Sequence, residues 1–400
     1  MATIAVIGTL DSKGAEHAFV VDLIRARGHT TLLIDVGSGA PPTVTPDITR
    51  EEVVAASGLD LMEILARKDR GECVVAMSEA APFLLEKLAA DGKIQGVISL
   101  GGGGGTAIAT SAMRVLPLGF PKLMVSTLAA GNTAPYLGTK DIVMMPSIAD
   151  IAGLNRLSRI ILSRAAGAIC GMVEAEIRME GSRPLIVASM FGNTTGCVTE
   201  AQRILEDAGY EVLVFAATGA GGRAMEALIE SGMVAGVLDL TTTEWADERV
   251  GGVLTAGPER MDAVAKAGIP AVIAPGCLDM VNFGERDSVP ARFAGRNFYI
   301  HNPQVTLMRT TPEECADLGR IIAEKVNTYS APAAILIPRK AISVISAAGQ
   351  AFHDPVADEA LFSAIREHSR VPVVEVEEEI NSPRFARACA EKLLSFLSGS

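Results

Sequence analysis

Basic residues, aromatic rings and long apolar runs are all scarce in this 400-residue chain. Lys and Arg number 35 against 47 Asp and Glu, leaving a formal charge of −12. No basic face is therefore available for double-stranded nucleic acid, and DNA is not an expected partner. A single phosphate is a different matter, because a few backbone N–H groups suffice to hold one. No run reaches the roughly 18 apolar residues of a membrane span, and the N-terminus meets Asp11 soon after its first apolar stretch, so neither a membrane segment nor a signal peptide is expected. The six cysteines, Cys73, Cys170, Cys197, Cys277, Cys315 and Cys389, show no C-x-x-C pair and no Cys/His zinc spacing. That pattern favours reduced thiols and a cytoplasmic location. Also missing are G-x-x-x-x-G-K-[ST], which excludes a P-loop NTPase, and G-x-S-x-G, which leaves no serine nucleophile elbow. With 49% apolar and only 4% aromatic residues, and with glycine and proline near average frequency, the chain reads as globular, with two or three domains.

Short β-branched runs alternate with longer helical ones from the start. IAVIG (4–8), a helix from about Gly14 to Arg27 and TTLLIDV (30–36) make a βαβ opening. CVVAM (73–77), GVISL (96–100), KLMVS (122–126) and DIVMM (141–145) read as further strands, apolar on both faces as in a parallel sheet covered by helices. The pattern restarts at PLIVASMFGNTT (184–195). EVLVFAAT (211–218) then stands for TTLLIDV, SGMVAGVLDL (231–240) for DGKIQGVISL (91–100), GIPAVIAP (268–275) for GFPKLMVS (119–126), and NFYIHNP (297–303) for DIVMMPS (141–147). The expected fold class is thus α/β, two Rossmann-like domains, each a mostly parallel sheet with helices on both faces. The charged segment 171–184 follows a long apolar helix expected to begin near Ile148, and puts the domains at 1–180 and 181–400. The insertion 37–58 is rich in proline, which forbids a central strand, and reads as a surface arm or lid. AAILIP (333–338), VPVVEVEEE (371–379) and a helix over 382–397 are expected to complete the second sheet.

In doubly wound sheets ligands sit at the carboxyl ends of the strands, which directs attention to the loops there. After the first strand come Thr9, Leu10, Asp11, Ser12 and Lys13, with Asp11 and Ser12 read equally well as helix caps. Gly101, Gly102, Gly103, Gly104 and Gly105, followed by Thr106, join a strand to a helix. Five glycines lose much backbone entropy on folding, so their reason is sought in close approach of a ligand, with successive N–H groups forming an anion nest. The loops carrying Thr127 and Asn155 face the same edge, and Asp35 ends the second strand where a ribose-binding carboxylate would stand, or else caps its own loop.

In the second half Gly219-Ala220-Gly221-Gly222-Arg223-Ala224 matches G-x-G-x-x-A but follows a second strand, so an anion site is the safer inference than a dinucleotide site. Arg223 is a candidate for a carboxylate or phosphate, or for a surface ion pair with Glu226. Asp239, Thr241 to Thr243, Glu244 and Asp247 crowd one strand end, and Asp279 and Asn282 another. These suit acid/base work or an oxygen-ligated cation, or equally caps and ion pairs. His301 is the candidate for proton transfer. His17, His29 and His368 read as solvent-facing, and His353 as a turn residue.

The strings GTLDSKG, GVISLGGGGGT, PKLMVSTLAAGNTAPYLGTKDIV, MFGNTTGCV, ATGAGGRAMEALI, GVLDLTTTEWAD, CLDMVNFG and HNPQVTLMRTT together resemble the Tm-1-like, UPF0261 family over nearly the whole chain. The resemblance implies two Rossmann-like domains, a homodimer and an ATP site in the first domain, contacted by Leu10, Asp11, Ser12, the Gly101 to Gly105 loop and the loops at Thr127 and Asn155. The family's usual GGSGGT reads GGGGGT here, which removes a hydroxyl and keeps the amides. Plant members continue into a barrel domain, so a separate barrel-type partner protein is conceivable, and Mg²⁺ is expected only as a companion of ATP. The leading expectation is a cytoplasmic ATP-binding enzyme of small-molecule metabolism, with Arg223, Glu244, Asp279 and His301 holding the substrate. The alternatives are a nucleotide-regulated protein-binding module without catalysis and an NAD(P)-dependent enzyme.

Overall fold

A computed structural model describes residues 1–37, 39–58, 69–177, 181 and 183–398. The boundary expected near 180 falls outside these. The chain divides into two compact units, Met1–Met179 and Glu180–Ser400.

In the first unit the strands β1 (Thr3–Gly8), β2 (Thr30–Asp35), β3 (Gly96–Gly101), β4 (Lys122–Ser126) and β5 (Val143–Pro146) form one parallel sheet in the order β2-β1-β3-β4-β5. Why these runs are apolar throughout is visible in β1. Ala5 and Ile7 belong to the core on one face, with Ile108, Ala112 and Met113, while Ile4 and Val6 belong to the core on the other, with Val20, Ile24 and Ile169. Helices cover both faces: α1 (Leu10–Ala26) and a helix over Arg156–Glu174 on one, α2 (Arg50–Ala55), α3 (Arg70–Ala90) and α4 (Gly103–Arg114) on the other.

The second unit repeats the plan. Its strands β6 (Leu185–Met190), β7 (Glu211–Ala216), β8 (Val234–Thr241), β9 (Ala271–Gly276), β13 (Ala333–Pro338) and β14 (Val373–Val376) are parallel, in the order β7-β6-β8-β9-β13-β14. The expected tail does complete this sheet, with a helix over Pro383–Leu397 on one face. An antiparallel sheet, β10 (Met280–Phe283), β11 (Phe298–Asn302) and β12 (Val305–Arg309) in the order β10-β12-β11, is inserted after β9.

Four expectations are corrected. CVVAM lies in helix α3, because an apolar run of five is compatible with either structure and here continues into a 21-residue helix capped by Asp69. The counterpart of β5 is β13, not NFYIHNP; the latter is β11, an edge strand of the inserted sheet. The helix expected from Ile148 starts at Arg156, with the Asn155 side chain accepting from the N–H groups of Leu157 and Ser158. Segment 37–58 is no free arm: Thr43 donates from its backbone N–H to the Leu10 carbonyl at 2.9 Å, and Ile48 bridges to Ile34 of β2.

Candidate functional site

The strand order β2-β1-β3-β4-β5 reverses direction between β1 and β3, and a crevice is expected just beyond the carboxyl ends of those two strands. A cleft of about 490 Å³ lies there. Thr9, Ser12 and Lys13 line it from the end of β1, and Gly102 to Gly105 from the end of β3. Thr127 follows β4, Ile148 to Asp150 follow β5, and Val74 enters from α3.

The glycine loop is built for access. None of its five residues adopts the left-handed backbone that would demand glycine. Gly101 is needed for packing, since a Cβ there would lie 3.0 Å from the Gly105 and Thr106 backbone. At Gly103 a Cβ would meet nothing within 4 Å, and at Gly102 and Gly105 nothing closer than 3.8 Å. Glycine in a helix costs up to about 1 kcal/mol relative to alanine, so at these positions neither conformation nor internal packing explains the choice. Helix α4 starts without a side-chain cap. Its first turn closes with Thr106 N–H donating to the Gly102 carbonyl at 2.8 Å, and among the described residues no acceptor meets the N–H groups of Gly103, Gly104 and Gly105. Three amides at the positive end of a helix thus face an open cleft, the arrangement that holds phosphate.

Of the other residues expected here, Thr9, Ser12, Lys13 and Thr127 line the cleft, while Leu10, Asp11, Asp35, Thr106 and Asn155 do not. Thr106 is fully buried with its hydroxyl 2.7 Å from that of Ser126. Leu10 is in the core, its N–H donating to Asp35 Oδ1 at 3.2 Å. Asp35 is not placed for a ribose: it is buried, Oδ1 also accepts from Gly37 N–H at 2.8 Å, and Oδ2 accepts from Arg50 Nε at 2.9 Å. It ties down its own loop. Asp11 accepts from Gly39 N–H at 2.9 Å. His17 and His29, expected at the surface, are buried. The His17 ring fills the space beside Gly8, and burial lowers its pKa, while His29 Nε2 lies 2.8 Å from Glu174 Oε1. Ile148 to Asp150 belong to the loop expected at this edge through Asn155, whereas sequence reasoning missed Val74, misread as a strand residue.

The second unit has the same switch point, between β6 and β8. Thr194 and Thr241, both fully buried, meet hydroxyl to hydroxyl at 2.7 Å. Two of the carboxylates expected to face a substrate, Asp239 and Glu244, meet one buried cation that no motif announced, Arg260. It donates to both oxygens of Asp239 at 2.7 and 2.8 Å, to Glu244 Oε2 at 2.7 Å and to Glu226 Oε1 at 3.0 Å. Glu244 Oε1 accepts in addition from the N–H groups of Gly219 at 2.6 Å and Gly222 at 3.1 Å. The anion on the GAGGRA turn is therefore the chain's own Glu244. A Cβ on Gly222 would sit 2.2 Å from that carboxylate, and one on Gly221 only 1.8 Å from the Ala216 carbonyl, so packing accounts for these glycines. Burial raises the Glu244 and Glu226 pKa values, opposed chiefly by Arg260. Arg223 does not pair with Glu226, which is held by Arg260 and the N–H groups of Met261 and Ala263, and donates instead to the Thr255 carbonyl at 2.9 Å.

Asp279 is fully buried, accepts from the Ser343 hydroxyl at 2.7 Å, and is pushed up to about 6 by burial against the opposing pull of Arg309 and Ser343. His301 is exposed on β11, and among the described residues no hydrogen bond joins it to Glu244 or Asp279. No group of three or more His, Cys, Asp or Glu among the described residues is arranged to hold a metal ion, and no helix there is long and apolar enough to cross a membrane.

Asp247 makes a pH prediction. Burial pushes it up to about 7, although it accepts from Asn282 Nδ2 at 2.7 Å and from the N–H groups of Asn282 and Leu254. A carboxyl raised in the folded state contributes stability that is complete below its unfolded pKa, about 4, and is lost as pH rises through about 7. Urea unfolding of the second unit is expected to give lower stability at pH 8 than at pH 5, with Asp247→Asn removing part of that slope. A slope unchanged by Asp247→Asn would reject this assignment.

Comparison with known proteins agrees with the two-unit division. The N-terminal domain of the Uncharacterised protein family (UPF0261) matches residues 2–178, and its C-terminal domain matches residues 183–397. A UPF0261 protein of Clostridium tetani is 49% identical over 398 residues, 98% of each chain. A UPF0261 protein of Rhizobium meliloti is 47% identical over 392 residues, 97% of each chain. The ToMV resistance protein Tm-1 of Solanum lycopersicum is 42% identical over 337 residues, which are 81% of this chain and 44% of that protein. Matched in both of its units, and by relatives nearly half identical along almost its full length, the chain belongs to the UPF0261 family.

Proposed function

We propose that the first unit binds a nucleotide, ATP, with its phosphates on the amides of Gly103, Gly104 and Gly105 and its remaining contacts from Ser12, Lys13 and Thr127. One observation carries this reading: Gly102, Gly103 and Gly105 have neither a backbone conformation nor a neighbour that requires glycine, yet they keep an uncapped helix start bare in a cleft at the sheet's switch point. The resemblance of the motifs to the Tm-1-like family supports narrowing the anion to ATP. Lys13 is the cation of the lining and Asp150 its carboxylate, so Mg²⁺ would enter with the phosphates rather than reside in a protein-built site. The groups expected to extend the function to catalysis do not support that step, because Glu244 is enclosed by its own partners and Asp279 is fully buried. Nor does the GAGGRA turn support NAD(P), since its amides already hold Glu244.

Isothermal titration of the full chain with Mg²⁺ and ATP is expected to show saturable binding of one nucleotide per chain, and native mass spectrometry to show the same adduct. Saturation by NADH but not by ATP would overturn the proposal.

A further inference from the structure

Ile148 carries two anomalies at once. The N–H of Ala149 donates to the Ser147 carbonyl at 2.7 Å, closing a γ-turn, and the Ser147 hydroxyl donates to the Ala149 carbonyl at 2.7 Å. Ile148, at the centre, is held at φ +64°. That is the left-handed region, where a β-branched residue is strained. The same residue is 78% exposed, although its side chain is wholly apolar. A glycine or asparagine would remove both costs, and the chain uses neither.

The turn is firmly mounted. Before it, Ser147 N–H donates to the Ser126 carbonyl at 3.1 Å. After it, the Lys13 ammonium donates to the Ile151 carbonyl, and Glu16 accepts from Gly153 N–H at 2.6 Å. Ile148 is thus presented from a fixed base, and it lines the same cleft as the bare amides of α4. The cleft therefore has two kinds of wall: N–H groups, hydroxyls and an ammonium for charge, and the apolar surface of Ile148 and Ala149. Ligand sites combine surfaces in this way when the ligand has a charged end and an apolar one, and strained turns persist where a ligand is clamped.

Resting on the nucleotide reading, we infer that Ile148 is the wall against which the base of the bound nucleotide packs, and that the γ-turn is kept to present this side chain. The ligand class follows: a phosphate ester with a planar, largely apolar group, in preference to bare polyphosphate.

Titration of the full chain with ATP and with tripolyphosphate, in wild type, Ile148→Gly and Ile148→Leu, tests this. Glycine adopts φ +64° without strain, so Ile148→Gly is expected to raise the melting temperature of the free protein, which separates any loss of affinity from unfolding. The expected result is ATP binding about tenfold weaker in Ile148→Gly, the scale of one aliphatic side chain's burial. Tripolyphosphate binding should be unchanged between the two proteins, and Ile148→Leu should hold ATP within about twofold of wild type. Equal ATP affinity in Ile148→Gly would overturn the inference and leave the nucleotide reading standing. So would a parallel loss of ATP and tripolyphosphate, or a changed subunit count in native mass spectrometry with ATP affinity unaltered, which would assign Ile148 to contact with a second copy. Failure of the wild type to bind either ligand would overturn both.

Discussion

Gly103→Asp is expected to weaken ATP binding by on the order of 100-fold, the loss of one or two charge-assisted hydrogen bonds, while the free protein stays folded and at least as stable as wild type. The two effects have opposite signs for one physical reason. At Gly103 a Cβ meets nothing within 4 Å, so the side chain is accommodated. The position is the first residue of α4, where aspartate interacts favourably with the helix dipole by about 0.3–1 kcal/mol and the entropy cost of glycine disappears. That same carboxylate stands where the phosphate is proposed to lie, repels it and competes for its amides. Gly101→Ala is the contrasting control. Its Cβ would lie 3.0 Å from the Gly105 and Thr106 backbone, so it is expected to lower stability as well as affinity. Thermal unfolding together with titration calorimetry reads both quantities. Undiminished ATP affinity in Gly103→Asp would mean that the amides of α4 are not the phosphate site.

Arg260→Met is expected to destabilise the second unit by about 3–5 kcal/mol, the cost of leaving buried charge uncompensated. Methionine restores much of the volume, so the loss isolates the charge. The side chains of Arg260, Asp239 and Glu244 are all at most 1% exposed, and Glu226 is 13% exposed. Without the guanidinium three carboxylates share that space, and the folded state can keep them only by taking up protons. The defect is therefore expected to be larger at pH 8 than at pH 5, since Glu244 and Glu226, already raised by burial and now without Arg260, lose their stabilising contribution as pH rises. Urea unfolding at the two pH values measures it. Glu244→Gln, which keeps an acceptor for Gly219 and Gly222, should be milder. A change below about 1 kcal/mol at pH 8 for Arg260→Met would show that the network does not hold the unit together.

Several features were legible because their causes are local. Strands buried on both faces must be apolar throughout, so IAVIG and GVISL announced a parallel sheet covered by helices, and Ile4 and Ala5 do face opposite cores. The restart at 184 was visible because the second unit repeats the strand order of the first. CVVAM was not legible, because five apolar residues carry no period long enough to separate strand from helix. NFYIHNP matched in position along the chain, but an inserted antiparallel sheet moved the true counterpart of β5 on to β13.

The two glycine-rich turns show where that boundary lies. GGGGG and GAGGRA look alike as sequence, each glycine-rich and each before a helix. By itself the sequence determined the alternating α/β architecture, its internal repeat and the presence of bare amides at two helix starts, because these depend on residues adjacent in the chain. Tertiary structure alone decided which amides stay open. Glu244, 25 residues beyond Gly219, folds back to fill the second turn and brings Arg260 and Asp239 with it, while no described residue returns to fill the first. Whether a carboxylate is a catalyst or an internal anion depends on which distant group meets it, and that meeting is set by the packing of the sheet, not by spacing along the chain.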